Sequence, residues 1–224
     1  MIDIYVKKAD RVWFGLAYIG ERILATVVSS TKEKAVRSLL GSIPPDAGHR
    51  VVEQGSEFAE KTILMLKELD SGNEESKNFS LATEYISEPV ARVLKAAATI
   101  PIGYMTSYSN IAKVADTEPR TVGRIMTTNP LYPIVPCHRV VGADFSLAGY
   151  GGRKNLPALH AKLARLSKEA KGFAAEKEVL ANGRKLTVYP LEYVIKRAKK
   201  HDPGSSRQRR LFDYIKPSNV CCEP

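Results

Sequence analysis

The 224 residues are 44% hydrophobic and 26% charged, enough to bury one large core or two small ones, and this ordinary balance excludes a disordered or fibrous chain. Against 24 Asp and Glu stand 34 Lys and Arg, a net charge of +10 that fits a polyanionic partner such as nucleic acid or an anionic membrane surface, and equally simple solubility; half of it, +5, falls within residues 176–224. Three cysteines exclude a disulfide framework, no apolar run approaches the ~20 residues of a membrane span, and the N-terminus lacks signal-peptide order, so a soluble, cytoplasmic protein with no membrane partner is expected.

In chain order, the runs Val12–Tyr18 and Ile23–Val28, separated by Gly20-Glu21-Arg22, predict a β-hairpin. Thr31 is a candidate N-cap for a helix through Ala35, Val36, Leu39 and Leu40, and the two prolines and two glycines of 41–48 predict a loop. A second helix is expected over Phe58–Leu69, and the polar stretch Asp70–Lys77 marks the internal boundary. Residues 1–84 therefore read as a small α+β domain.

Further on, Val90–Ala98 and Ser109–Ala115 have helical spacing, with Ile100-Pro101-Ile102-Gly103 a turn between them. Pro119 suits the first turn of another helix that continues through Val122, Ile125 and Met126. Two short helices joined by a tight turn, in a basic protein, have the pattern of a helix-turn-helix, as do many helical hairpins that never meet DNA. A helix over 158–170 carries Leu159, Leu163 and Leu166 on one face. The remainder, 176–224, reads as a basic extension holding a strand-like Leu186–Tyr189, a helix-like Leu191–Lys199, and the arginines Arg207, Arg209 and Arg210, whose default reading is a solvated, disordered tail and whose alternative is contact with a DNA backbone. Cys221 and Cys222, near its end, receive no role.

The chemistry concentrates in Pro133-Ile134-Val135-Pro136-Cys137-His138-Arg139-Val140-Val141. A reactive thiol needs a lowered pKa, which a nearby histidine or cation supplies. Adjacency alone does not place His138 on Cys137, since neighbouring side chains on extended backbone point apart, and a buried cysteine can equally be inert packing. Four histidines and three cysteines show no zinc-type spacing, so no metal is expected.

Six ordered blocks carry a resemblance. They are Ile100-Pro101-Ile102-Gly103, Ser107-Tyr108, Arg120-Thr121-Val122-Gly123, Asn129-Pro130, Pro136-Cys137-His138-Arg139-Val140-Val141 and Gly149-Tyr150-Gly151-Gly152. Their order and approximate spacing resemble the O6-alkylguanine-DNA alkyltransferase family over residues 86–173. The resemblance implies an α+β protein: an RNase H-like N-terminal domain (1–84), a mostly helical DNA-binding and alkyl-acceptor domain with a helix-turn-helix (85–175), and the extension 176–224. It also implies a monomer that binds double-stranded DNA containing O6-alkylguanine, flips the base out of the stack, and accepts the alkyl group irreversibly, without a cofactor.

Carried over by position, Cys137 is the acceptor, His138 the base acting through a water, and Asn129 the brace of the turn that holds the cysteine. Arg120 fills the gap left by the base. Tyr108 crowds the target phosphate and contacts the base, while Ser107, Thr121 and Gly123 complete the DNA-facing set. Met126, the Val140 carbonyl, Tyr150 and the Gly151 backbone form the lesion pocket. The acid that orients the histidine is displaced: ungapped counting reaches Ala164, whereas about five extra residues after Gly152 bring Glu169 into place, and Glu169 is the expected residue. A lesion sensor built on the same scaffold is disfavoured by the presence of Cys137. A sequence-reading regulator would want Asn or Gln on the second helix, where Thr121, Gly123 and Thr127 stand, and nothing resembles the oxyanion-hole glycine motif of a thiol hydrolase.

Overall fold

The computed structural model describes residues 1–73 and 80–200. Arg207, Arg209, Arg210, Cys221, Cys222 and part of the expected boundary stretch lie outside them. The described chain forms two compact units, and it has the α+β class expected from the sequence. One comprises Met1–Ala91 together with Asn129–Val135; the other begins at Arg92, and resumes at Pro136.

In the first unit, β1 (Ile2–Ala9), β2 (Val12–Ile19) and β3 (Arg22–Ser29) form an antiparallel meander. Helix α1 (Lys32–Leu40) follows, capped as expected by the Thr31 hydroxyl, which accepts from the Lys34 amide. Next come β4 (His49–Val52), α2 (Glu57–Ser71) and the two-residue β5 (Ser80–Leu81), giving the sheet order β4-β1-β2-β3-β5 with both late strands parallel to their neighbours. Alternation along β1 sends Ile2 and Ile4 into a cluster with Leu24 and Leu39, while Tyr5, pointing the other way, donates to Glu60 on α2. Helices thus cover both faces, and the middle strand β2 reads as a continuous apolar run. Gly15 permits this closeness: a Cβ there would lie 2.8 Å from Val27 and 2.9 Å from Leu39.

The second unit contains most of α3 (Glu88–Ala98), then β6 (Tyr104–Ser107), α4 (Tyr108–Ala115) and α5 (Pro119–Thr127). Asp116 ends α4 in the left-handed conformation and Pro119 opens α5, so the tight turn between them has a local cause on each side. A 3₁₀ turn over Cys137–Arg139 leads into β7 (Val140–Val141), and α6 (Leu156–Glu169) starts at an Asn155 cap. Then come β8 (Lys177–Ala181), β9 (Arg184–Pro190) and α7 (Leu191–Lys200), in a sheet of order β7-β6-β9-β8.

The two units part at Ala91/Arg92, and 129–135 belongs with the first, where Thr26 of β3 holds it, donating from its amide to the Pro130 carbonyl and from its hydroxyl to the Tyr132 carbonyl. Residues 177–200, part of the expected basic extension, pack within the second unit. Strand β9 pairs with β6, and Leu191 and Val194 of α7 share a core with Met105, Val141 and Leu166.

Candidate active site

The approach to the cysteine is tied from within. Asn129 donates its side-chain amide to the Val135 carbonyl at 2.8 Å and accepts from the Leu131 amide at 3.0 Å, closing the loop that runs on into Pro136. The next three residues form a 3₁₀ turn, in which successive side chains fan out by a third of a revolution. Cys137 therefore reaches a cavity while His138 and Arg139, each 3% exposed, enter the interior.

There they meet Glu169, at the last turn of α6. Its carboxylate accepts from His138 Nε2 at 2.9 Å and, through both oxygens, from Arg139 Nε at 2.6 Å and Nη2 at 2.9 Å; the third guanidinium nitrogen donates to the Ile100 carbonyl. Burial alone would raise the Glu169 carboxyl, but the charges and hydrogen bonds of His138 and Arg139 outweigh it and hold the group well below the usual carboxylate range. An acid at a helix C-terminus faces the unfavourable end of the dipole, so it needs these cationic partners. With the carboxylate ionised, His138 Nε2 carries the proton and donates. The structure brings Glu169, and not Ala164, to His138.

Lys162 is fully buried and donates to three carbonyls: Val140 at 2.7 Å, Leu147 at 2.8 Å and Gly149 at 3.0 Å. Burial pushes its ammonium down to about 8, and the neighbouring Cys137 pulls the other way. It also lies 5.8 Å from the centre of the Tyr108 ring. The Tyr108 phenol is pushed up to about 12, first by burial and then by Cys137, so it keeps its proton at neutral pH.

A cavity of about 500 Å³ opens beside Cys137. Its lining takes Arg120, Gly123, Met126 and Thr127 from α5, Tyr108 from α4, and Tyr150, Gly151 and Gly152 from the loop before α6. Gly152 has φ +72°, and a Cβ there would lie 2.8 Å from Thr127, so the loop approaches α5 as only glycine allows. Four cations line the cavity, Arg120, Arg124, Arg153 and Lys154, with no carboxylate among the lining residues.

Residues 88–171 match the family described as 6-O-methylguanine DNA methyltransferase, DNA binding domain. The methylated-DNA–protein-cysteine methyltransferase of Methanocaldococcus vulcanius is 30% identical over 138 residues, which cover 62% of this chain and 82% of that protein. The chain belongs to the methylated-DNA–protein-cysteine methyltransferase family. A second methyltransferase of that name, from Pyrobaculum aerophilum, is 58% identical over 53 residues, a stretch that covers 24% of this chain and about a third, 36%, of that relative. The crystal structure of Mycobacterium tuberculosis O6-methylguanine methyltransferase is 26% identical, with a TM-score of 0.51 over 78% of this chain and 96% of that one.

Set against this family's motifs, Tyr108, Arg120, Gly123, Met126, Cys137, Tyr150 and Gly151 share the cavity. Thr121 lies one residue from Arg120 on α5 and accepts from Arg124. The Val140 carbonyl, expected to face a guanine, accepts from Lys162 and keeps a second lone pair. Ser107 is 4% exposed and its hydroxyl caps α4, accepting from the Asn110 amide at 3.1 Å.

The sequence reading did not identify Lys162 and Arg139 as buried polar anchors, nor Arg124, Arg153 and Lys154 as cavity cations. Lys162 was detectable: three residues after Leu159 and four before Leu166, it falls on the apolar face of α6. Among the described residues no cluster of His, Cys, Asp and Glu could hold a metal ion, and no helix is long and apolar enough to cross a membrane.

Proposed function

We propose that the chain repairs DNA by direct reversal, binding duplex through α4 and α5, extruding an O6-alkylguanine into the cavity, and transferring the alkyl group to Cys137 once and irreversibly. The observation that carries this reading is the position of Cys137: on the wall of a cationic cavity formed by α5, with His138, Glu169 and Arg139 buried directly behind it. Extrusion is required because the thiolate must approach the alkyl carbon in line with the C–O6 bond, which a stacked base denies.

His138 Nε2 is committed to Glu169, which leaves Nδ1 to take the thiol proton through a water. The fixed charge of Lys162 favours the thiolate that results. Sulfur then bonds to the alkyl carbon, the C–O6 bond breaks, and its electron pair leaves with guanine. The guanine anion regains its proton from the His138 imidazolium by way of solvent, so the thiol proton ends on the base, while Tyr108, kept neutral by burial, donates a hydrogen bond to it. Met126 supplies a soft apolar wall, Tyr150 and the Gly151 backbone close the cavity around O6, and Arg120 occupies the gap in the stack. The small surface of Thr121 and Gly123 lets α5 approach DNA without reading sequence.

The test uses duplex carrying O6-methylguanine with a labelled methyl group. Label should appear on the peptide containing Cys137, and Cys137→Ala should bind the duplex yet take up none. Uptake by the alanine variant would refute the assignment.

A further inference from the structure

Residues 177–200 lie beyond the segment that matches the family, yet they are fastened to the helix-turn-helix by defined hydrogen bonds. Strands β8 and β9 are joined by Asn182 and Gly183, both at positive φ (51° and 74°), the two-residue turn that an Asn-Gly pair favours in a hairpin. The tip of this hairpin reaches the C-terminal end of α4. There the Asn182 side-chain amide donates to the Val114 carbonyl at 3.3 Å and to the Arg92 carbonyl of α3 at 2.9 Å, while Arg184 Nη1 donates to the Lys113 carbonyl at 2.9 Å.

The last four carbonyls of a helix have no partner within it. In α4 the Ala112 carbonyl is answered locally, by the amides of Asp116 and Thr117. The next two, Lys113 and Val114, are answered from the hairpin. Arg184 also sets a positive charge at the negative end of the helix dipole. At the other end of α4, Thr106 at the close of β6 donates to the Thr187 carbonyl of β9 at 2.7 Å. The hairpin therefore holds α4 from both ends, and α4 is followed after three residues by α5, which carries Arg120, Gly123 and Met126.

We infer that the β8–β9 hairpin caps α4 from outside and fixes the angle at which α5 meets DNA, with Asn182 and Arg184 as positioning residues. The inference takes from the proposed function the idea that α5 engages DNA. It differs from a general contribution to folding, because its effect is confined to the end of α4, the turn and α5, leaving Cys137 and its partners undisturbed.

Asn182→Gly is the informative variant, since glycine keeps the left-handed turn and removes only the amide; Arg184→Ala is its partner and Arg184→Lys the conservative control. Three quantities are measured: amide hydrogen exchange across residues 112–122, affinity for unmodified duplex, and the rate at which iodoacetamide modifies Cys137, followed on its own peptide. The double variant Asn182→Gly/Arg184→Ala should exchange at least tenfold faster at 112–122 and bind duplex about fivefold to tenfold more weakly, with iodoacetamide modification within twofold of wild type; Arg184→Lys should recover most of the binding. Unchanged exchange would overturn the inference, and so would a parallel loss of all three quantities. Wild-type protein that bound no duplex would refute the proposed function, while the exchange comparison would still decide whether the hairpin caps α4.

Discussion

Replacing Glu169 by Gln changes one charge in the buried cluster behind Cys137 and leaves its shape. The carboxylate accepts three hydrogen bonds, at 2.6, 2.9 and 2.9 Å, from groups about 3% exposed. Removing one partner of such a cluster destabilises by about 3–5 kcal/mol, because it leaves the Arg139 cation buried without a counter-charge. Glutamine retains one acceptor oxygen, so the lower end applies, roughly 3 kcal/mol, and a melting temperature lower by about 6–12 °C for a chain of this length. The effect has a defined pH dependence. The folded state holds Glu169 below its ordinary pKa, so its stabilisation is complete above the unfolded value of about 4.3 and is lost as the pH falls further. The gap between wild type and variant should be widest near neutrality and shrink in acid. Methyl transfer should slow by about 10²-fold, the scale of a misplaced general base, whereas Ala164→Ser should leave it unchanged. Thermal denaturation from neutral to acid pH and single-turnover kinetics check both. Equal melting temperatures at neutral pH, or equal rates, would refute the role given to Glu169.

Three other substitutions separate the parts of the site. Lys162→Met removes the donor to the carbonyls of Val140, Leu147 and Gly149, of which Leu147 still accepts from the Gly149 amide; with about 1–3 kcal/mol for each carbonyl left unsatisfied, calorimetry should show a loss of a few kcal/mol, and the loop containing Leu147 and Gly149 should become protease-sensitive. At Gly123 an added Cβ would meet nothing within 4 Å beyond its own helix backbone and chain neighbours, so for Gly123→Leu the melting temperature should not fall, leucine being the better helix former, but duplex affinity by fluorescence anisotropy should drop at least tenfold. Arg120→Ala removes the side chain assigned to the vacated stack, so transfer from duplex should fall on the order of 10- to 100-fold, the scale of a few kcal/mol of unpaid unstacking, with iodoacetamide modification of Cys137 unchanged.

Much of the fold was legible because its signals are local. The hairpin β2–β3, the Thr31 cap, and the positions of α2, α4 and α5 follow from alternation, capping residues and Pro119. Strand β1 escaped because its apolar half gives way to Lys7 and Lys8 within one strand, and β6 because its four buried residues carry no alternation. The boundary at Ala91 and the return of 129–135 to the first unit depend on Thr26 meeting Pro130 and Tyr132, pairings more than 100 residues apart that no window of sequence contains. In the site, the gap that brings Glu169 rather than Ala164 into position came from motif spacing, whereas the pairing of Glu169 with Arg139 needed the 3₁₀ turn. The cap function of Ser107 was not read because the helix was expected to begin at Ser109, whereas β6 runs directly into α4 at Tyr108.

Stoichiometry tests the central claim most directly. Protein mixed with a large excess of duplex carrying O6-methylguanine should gain one methyl group per chain, found by mass spectrometry on the Cys137 peptide, and restore one equivalent of guanine before the reaction stops. Repair that continues beyond one equivalent, or a methyl group found on any other residue, would contradict the account.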